Sequence, residues 1–507
     1  MTAAPAKSLS LLGLLLLILL SSGLKLILIR ADAPRVFPNG FQSSDPVKDE
    51  AAKSYEARNR ARFGTWTTSP ADDYRYWNTL SPLWTHSLWL WFELFGVSYT
   101  SLRLFSIFWS ALAILAAWWF FPDPKDSRAG PLAAIFFASN FYLLTFGRLG
   151  LMETGLNTML LFCLLVLVRA LDRPRLFPLA ALLLLLSYLI KQSAAAVLPV
   201  FCLAALLLPP GKNRRAWLSF GLILLAIAAL FLWPDYRLRS VMNFRHALGW
   251  RPDPSWQWMR LEIPVTRQAL AQAFGRTGLV QGFFLMMPVA GPLALLEILI
   301  FLYRWLKTKT FDRTEAIAIA WLLCARLALA FSPHTAVRFY LIQFPPACLL
   351  AGILLQRMWG LKNLSPRSQR LRVEILIALS LLLDLGPYEE QIVKATFQMK
   401  NDALEFQKAL GDSKAVIIGE WAAPFALEGN YRTYYVKNIF NRRPDQLRQF
   451  GVTHLLFLDP DQDPAIKSFR EAFPGPFEQR KIILTLPFQD EILTLCRVEV
   501  PKGNGPP

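Results

Sequence analysis

Long apolar runs recur along this chain, and short connections rich in Lys and Arg separate many of them. A water-soluble domain has no place for so many continuous apolar segments; they have the length and composition of helices that cross a bilayer. Residues 8–29, 101–121, 131–146, 154–171, 177–190, 194–208, 217–233, 278–303, 316–331, 339–355 and 373–385 have this character, which predicts about eleven spans. The first reads as a retained anchor, because no small-residue cleavage signal follows it. The fold class expected is a mainly α-helical polytopic membrane protein with interfacial helices.

The formal charge of +18 would suit a nucleic-acid binder, but its distribution excludes one. The cations sit in connections such as Lys125/Arg128, Arg173/Arg175, Lys212/Arg214/Arg215, Arg304/Lys307/Lys309/Arg313 and Arg357/Lys362/Arg367/Arg370/Arg372. These alternate with connections poor in Lys and Arg, as the positive-inside rule requires. The alternation stays in phase only if residues 79–95 do not cross the membrane. That segment is therefore expected to lie in the interface, with Trp84, Trp89 and Trp91 as an aromatic belt. The basic side is then cytoplasmic. The first large loop (31–100), a second loop (234–279) and the C-terminal residues are extracytoplasmic, in a cell or inner membrane. The second loop, rich in Arg and Trp, reads either as a headgroup anchor or as a lid over a lipid-linked substrate.

The first loop carries the most unusual local chemistry. Asp49 and Glu50 are adjacent carboxylates close to a membrane span, a costly arrangement unless they face water, a cation or a reacting group. They also suit the start of a solvated helix, where acidic residues favour the helix dipole. Arg148, Lys191 and Arg338 occupy outer connections against the charge rule. They read as headgroup anchors or as the lining of an anion site. Trp66 reads as packing before sugar stacking, and His86 as an interfacial helix residue. Four of the five cysteines fall inside apolar runs, which leaves no disulfide framework or paired-Cys metal motif.

Beyond residue 387 the apolar runs shorten. Residues 415–419, 433–436, 454–458, 481–486 and 492–500 read as strands, and 424–428, 444–450 and 464–473 as short helices with Pro near their starts. This predicts a small extracytoplasmic α/β domain over 387–507, following a membrane domain over 1–386. It shows no glycine-rich phosphate fingerprint.

Read in order, these residues resemble the GT-C glycosyltransferases, of the branch that contains protein O-mannosyltransferases and lipid A aminoarabinose transferases. The run Asp49-Glu50 with Arg58, Gly64 and Trp66 is similar to that family's acidic loop. Ser81-Pro82-Leu83-Trp84 through Ser98, then Arg103-Leu104, is similar to its interfacial helix and the helix that follows. Gly147-Arg148 with Glu153 resembles its second acidic motif, Ile190-Lys191 its outer lysine, and Arg338-Phe339-Tyr340 through Pro345 its late arginine motif. Glu153 stands where Asp is usual, Lys53 where the family often has Tyr, and Ser81 where a Pro-Pro-Leu run would begin.

The resemblance implies a polyprenyl-phosphate-linked sugar as donor, presented in the outer leaflet, and a glycan, lipid or protein acceptor. It implies Asp49 as general base, Glu50 and Glu153 as orienting carboxylates, and Arg58, Arg148, Lys191 and Arg338 around the donor phosphate. Transfer would invert the anomeric centre. A divalent metal is open, with Asp49, Glu153 and His334 as candidate ligands. A transporter or flippase of a lipid-linked sugar is the alternative. It too needs an outer basic pocket, but also ionisable pairs buried mid-span.

Overall fold

The computed structural model describes residues 6–41, 46–121, 128–208, 213–238, 274–330, 336–360, 365–411, 414–436, 440–488 and 490–500. The chain opens with α1 (Ala6–Ile27), then α2 (Pro46–Phe63), α3 (Tyr76–Leu80), α4 (Pro82–Phe95), α5 (Tyr99–Trp118), α6 (Ala129–Ser139), α7 (Phe141–Gly147), α8 (Met152–Asp172) and α9 (Phe177–Ile190). It continues through α10 (Leu198–Leu206), α11 (Arg214–Leu238), α12 (Ala290–Thr308), α13 (Arg313–Ala330), α14 (Phe344–Trp359) and α15 (Pro366–Val393). Most of the expected loop 234–279 lies outside the described residues.

Among the described residues, three segments are long and apolar enough to cross a membrane: α5, α8 and Val337–Trp359, which joins a 3₁₀ turn (Val337–Gln343) to α14. A fourth is the bent pair α6–α7, with 66° between its halves. The described part is therefore a helical membrane protein with fewer spans of full length than the run count predicts. Polar residues at the breaks explain part of the difference. Asn140 ends α6 and caps α7 by accepting from the backbone N–H groups of Tyr142 and Leu143. Its amide donates to Asp384 Oδ1 at 2.8 Å, so one expected span becomes two short helices. At Lys191 the chain leaves α9 and enters a 3₁₀ stretch, Gln192–Val197, before α10.

Helix α4 has 14 residues and is about 21 Å long, short of the roughly 30 Å hydrocarbon core. The expected belt is corrected at Trp84. Its side chain is fully buried, with its ring 5.1 Å from that of Phe105 and its edge facing Gly155. Trp89 and Trp91 keep partial exposure. Helices α6 and α14 approach closely: a Cβ on Gly352 would run into the Ala129 carbonyl.

Pro387 lies inside α15, which continues to Val393, so the expected division at 387 falls within one helix. After α16 (Gln398–Leu410) come β1 (Val416–Ile418), α17 (Ala422–Ala426), β2 (Arg432–Tyr434), α18 (Pro444–Gln449), β3 (His454–Phe457), α19 (Pro464–Ala472), β4 (Lys481–Phe488) and β5 (Glu491–Arg497). The sheet order is β2-β1-β3-β5-β4. Strand β1 runs parallel to β2 and β3, and β5 is antiparallel to β3 and β4. All four residues of β3 are buried, as a strand covered on both faces requires. The sheet unit does not stand apart. Trp421, Phe425 and Leu495 belong to the same core as Ala57 and Trp84.

Candidate active site

Helix α2 is the element that sequence reasoning explains least and the structure explains best. It is polar along its length, yet Glu50, Lys53, Glu56 and Arg58 are all buried. Buried charges persist only where partners compensate for lost hydration, and each of these has one. Glu50 forms a two-point ion pair with Arg103, Nε–Oε1 at 3.0 Å and Nη2–Oε2 at 2.8 Å, and accepts from the Gly150 backbone N–H at 2.7 Å. Glu56 accepts from the Asn78 backbone N–H. Arg58 turns toward the C-terminal residues. It donates to the carbonyls of Ala426, Leu427, Gly429 and Tyr431 at 2.7–3.1 Å, where the last turn of α17 leaves acceptors unpaired.

The face of α2 that carries Asp49 and Lys53 meets the starts or ends of three other elements. Glu153 lies in the first turn of α8, Lys191 at the C-terminus of α9, and Arg338 in the 3₁₀ turn before α14. Arg338 Nη1 is 2.5 Å from Asp49 Oδ2, and its Nε is 3.4 Å from Glu153 Oε1. Lys191 Nζ is 2.7 Å from Glu153 Oε1, and Lys53 Nζ 3.8 Å from Oε2. Three cations therefore surround two carboxylates, and Arg338 bridges the carboxylates.

The cluster is layered. The side chains of Glu153 and Lys53 are 3% and 5% exposed, whereas those of Asp49, Lys191 and Arg338 are 29%, 21% and 18% exposed. The outer layer is open to a ligand and the inner layer holds it in place. Burial pushes the Lys53 ammonium down to about 8, and Glu153 and then Asp49 oppose that shift. Glu153 Oε2 and Arg338 Nε have no hydrogen-bond partner; they sit at ion-pair distance with bonding capacity to spare. The ring of Phe339 lies under both Lys191 and Arg338, 4.7 and 5.0 Å away.

The seven sequence-expected residues of the acidic and phosphate-binding set separate into two groups. Asp49, Glu153, Lys191 and Arg338 converge; Arg58 does not, because its guanidinium is spent on α17. Arg148 does not converge on the cluster either. It is fully buried and donates to the carbonyls of Leu28, Ala31 and Asp32 at 2.9–3.0 Å, closing the end of α1. Glu50 faces Arg103 rather than Asp49, and this pair joins α2 to α5. His334 lies outside the described residues. Sequence reasoning named Lys53 only as a departure from a pattern, yet it completes the cluster. The four-residue spacing from Asp49 to Lys53 was the available signal.

Among the described residues, no group of three or more His, Cys, Asp or Glu gathers as a metal-ligand set. Both carboxylates of the cluster already face Lys53, Lys191 or Arg338. That donor set does not fit a divalent cation, which prefers several uncommitted oxygens.

A cavity of about 1030 Å³ lies beside the cluster, not at it. Trp66, His86 and Gln192 line it, while Asp49, Glu153 and Arg338 do not. Trp66 is thus at a cavity wall, with its ring 4.7 Å from that of His86.

The family model described as dolichyl-phosphate-mannose-protein mannosyltransferase matches residues 80–234. No curated protein matches the chain. Among solved structures, ArnT from Cupriavidus metallidurans bound to undecaprenyl phosphate superposes with a TM-score of 0.60 at 14% identity, over 100% of both chains. The Archaeoglobus fulgidus oligosaccharyltransferase tethered to an acceptor peptide superposes with a TM-score of 0.52 at 12% identity, over 89% of this chain and 69% of that one. The helical bundle, the small sheet packed on its first loop and the match over residues 80–234 agree: this chain has the fold of the GT-C glycosyltransferases.

Proposed function

We propose that this protein transfers a sugar from a polyprenyl-phosphate donor to an acceptor hydroxyl at the outer surface of the inner membrane. The observation that carries the reading is the bridge Asp49–Arg338–Glu153 with Lys191 beside it. It sets a partly exposed carboxylate next to cations that an anion can reach. Undecaprenyl phosphate bound to the structurally similar ArnT supports a donor of that class. The remaining apolar helices are read as further spans, about eleven in all. Residues 1–386 would form the membrane unit and 387–507 the extracytoplasmic one.

In this reading Asp49 removes the proton from the acceptor hydroxyl as the oxygen attacks the anomeric carbon. The bond from that carbon to the phosphate oxygen breaks, and its electron pair leaves with the lipid phosphate. The leaving group is a stable anion and needs no strong acid. It needs positive charge where negative charge develops, and Arg338 and Lys191 are placed to give it. One displacement inverts the anomeric centre. Glu153 acts through its cations, holding Lys53, Lys191 and Arg338 in one place. No step is routed through a metal.

Replacing Asp49 by Asn tests the assignment. The variant is expected to insert, to melt within a few degrees of the parent and to lose sugar transfer. Full transfer by a folded Asp49→Asn protein would overturn the role. The transporter alternative gains little. Its candidate among the described residues joins two buried carboxylates, Glu297 within α12 and Glu315 near the start of α13, to the partly exposed Arg357 near the end of α14, and that is a single group, not a chain of ionisable residues along a path.

A further inference from the structure

Strand β1 has β2 on one side and β3 on the other, and it runs parallel to both. The chain passes from β1 to one flank and then to the other, so its connections part at the carboxyl end of β1. Open α/β sheets hold their ligands outside strand ends of that kind. Here the end is Gly419-Glu420-Trp421. Gly419 has φ +144°, and a Cβ there would run into the Leu456 carbonyl of β3, so glycine lets the two strands close. The Glu420 backbone N–H donates to Asp463 Oδ2 at 2.8 Å, which ties the turn to the start of α19.

Two side chains from these strand ends meet α2. Glu420 Oε1 is 3.2 Å from Lys48 Nζ, and that ammonium lies 4.3 Å from the Trp421 ring. Lys48 directly precedes Asp49 on α2. Tyr435 is the first residue after β2. Its ring is 5.8 Å from that of Tyr55 on α2 and 4.8 Å from that of Tyr74. Burial holds the Tyr435 hydroxyl above the ordinary phenol range, and the charges of Asp49 and then Glu420 push the same way. A hydroxyl that keeps its proton therefore stands near two carboxylates. Both carboxylates are open to a ligand, with the Asp49 side chain 29% exposed and that of Glu420 49%.

We infer that Glu420 and Tyr435 form the acceptor side of the active site and orient the acceptor hydroxyl toward Asp49. The inference rests on the transferase reading above and adds two residues of the C-terminal sheet to it. Stereochemistry supplies the reason. A single inverting displacement needs the nucleophile and the leaving group on opposite faces of the anomeric carbon. Arg338 and Lys191 draw the phosphate toward the helical bundle, which leaves the sheet side of Asp49 for the acceptor. The attacking oxygen has one proton and two lone pairs. One lone pair forms the new bond and the proton points at Asp49. The Tyr435 hydroxyl donates to the remaining lone pair, which fixes the rotation of the attacking group. Glu420 accepts from a second O–H or N–H of the acceptor. Neither side chain gains or loses a proton in the step.

A purely bracing role for these contacts makes a different prediction. Tyr435→Phe keeps the ring against Tyr55 and Tyr74 and removes only the hydroxyl. Glu420→Gln keeps an oxygen for Lys48 and removes the charge. The full chain and each variant are expressed in cells of the source organism that lack the gene, whose membranes supply the native donor and acceptor. Mass spectrometry follows the product that requires the parent protein and Asp49. Each variant is expected to slow its formation by about 10- to 100-fold, the loss of one hydrogen bond to a charged or reacting group. Undecaprenyl phosphate affinity in nanodiscs should stay within about twofold of the parent, and the melting temperature within about 2 °C. Glu420→Asp should recover part of the rate. Formation at the parent rate in either variant would overturn the inference. So would a slower rate matched by weaker undecaprenyl phosphate binding or a lower melting temperature, which assigns these contacts to bracing. A product that needs Asp49 but neither sheet residue leaves the transferase reading standing alone. If no product needs Asp49, that reading falls and the acceptor side falls with it.

Discussion

Lys53 shows how one position can shift the behaviour of a charged cluster. Its pKa near 8, against the ordinary 10.5, means the folded protein releases this proton before the unfolded chain does. Between pH 8 and 10.5 the unfolded chain binds more protons, so stability rises with pH across that window. Below pH 8 the buried ammonium carries its full desolvation cost, but it also pairs with Glu153 and, in the transferase reading, would add charge near the leaving phosphate. Donor affinity should therefore fall as pH rises through about 8, while thermal stability moves the other way. Lys53→Met should remove that alkaline limb from a pH–KM profile and leave the acidic side in place. An unchanged limb would assign it to another group. The Glu50–Arg103 pair is a different case. It is buried and two-pointed, so Glu50→Gln should cost roughly 3–5 kcal/mol by leaving a guanidinium uncompensated. A melting curve reads that loss directly, and it should appear before any change in donor binding.

At the scale of elements, α2 and the broken helices matter most. Composition alone predicts α2 as a solvated helix, because no apolar stripe marks a buried face. Its burial comes from partners far along the chain: Arg103, Glu153 and the carbonyls that follow α17. Arg58→Ala removes the donor to four of those carbonyls and should destabilise the protein by about 3 kcal/mol. Arg58→Lys should not restore it, since an ammonium cannot fork across that geometry. Burial lowers the Arg58 guanidinium to about 10, and it stays charged near neutral pH, so the effect should be flat there. The α6–α14 contact is a steric matter. Gly352→Ala places a methyl against the Ala129 backbone and should cost about 1–3 kcal/mol, read as a lower melting temperature in detergent.

At the scale of the whole molecule, the C-terminal sheet acts as a brace for the first loop. Tyr55 donates to the Thr433 carbonyl at 2.6 Å, Asp72 accepts from Asn441 Nδ2 at 2.8 Å, and Asp32 accepts from Gln398 N at 2.8 Å. These contacts tie the start and the middle of the loop that carries Asp49 to the C-terminal residues. A chain ended after Val393 should lose transfer even though every residue of the cationic cluster remains, because α2 would face water, Arg58 would lose its four carbonyl acceptors and Tyr55 its bond to Thr433. Transfer at the parent rate by that truncated chain would show that the brace is dispensable.

The sequence alone determined the membrane class, the acidic loop, the order of strands and short helices after residue 410, and four of the residues that meet. These follow from local signals: apolar run length, charge alternation, Pro at helix starts and residue spacing. Only the tertiary structure decided which cations serve the carboxylates. Nothing local in the sequence separates Arg58, between Ala57 and Asn59, from Arg148, after Gly147, or Arg338, before Phe339. What separates them is whether a carbonyl or a carboxylate comes within hydrogen-bond reach, and that depends on contacts between residues hundreds of positions apart. The same reason hid Lys53 and the cavity: burial is a property of packed surroundings, which no single stretch of chain encodes.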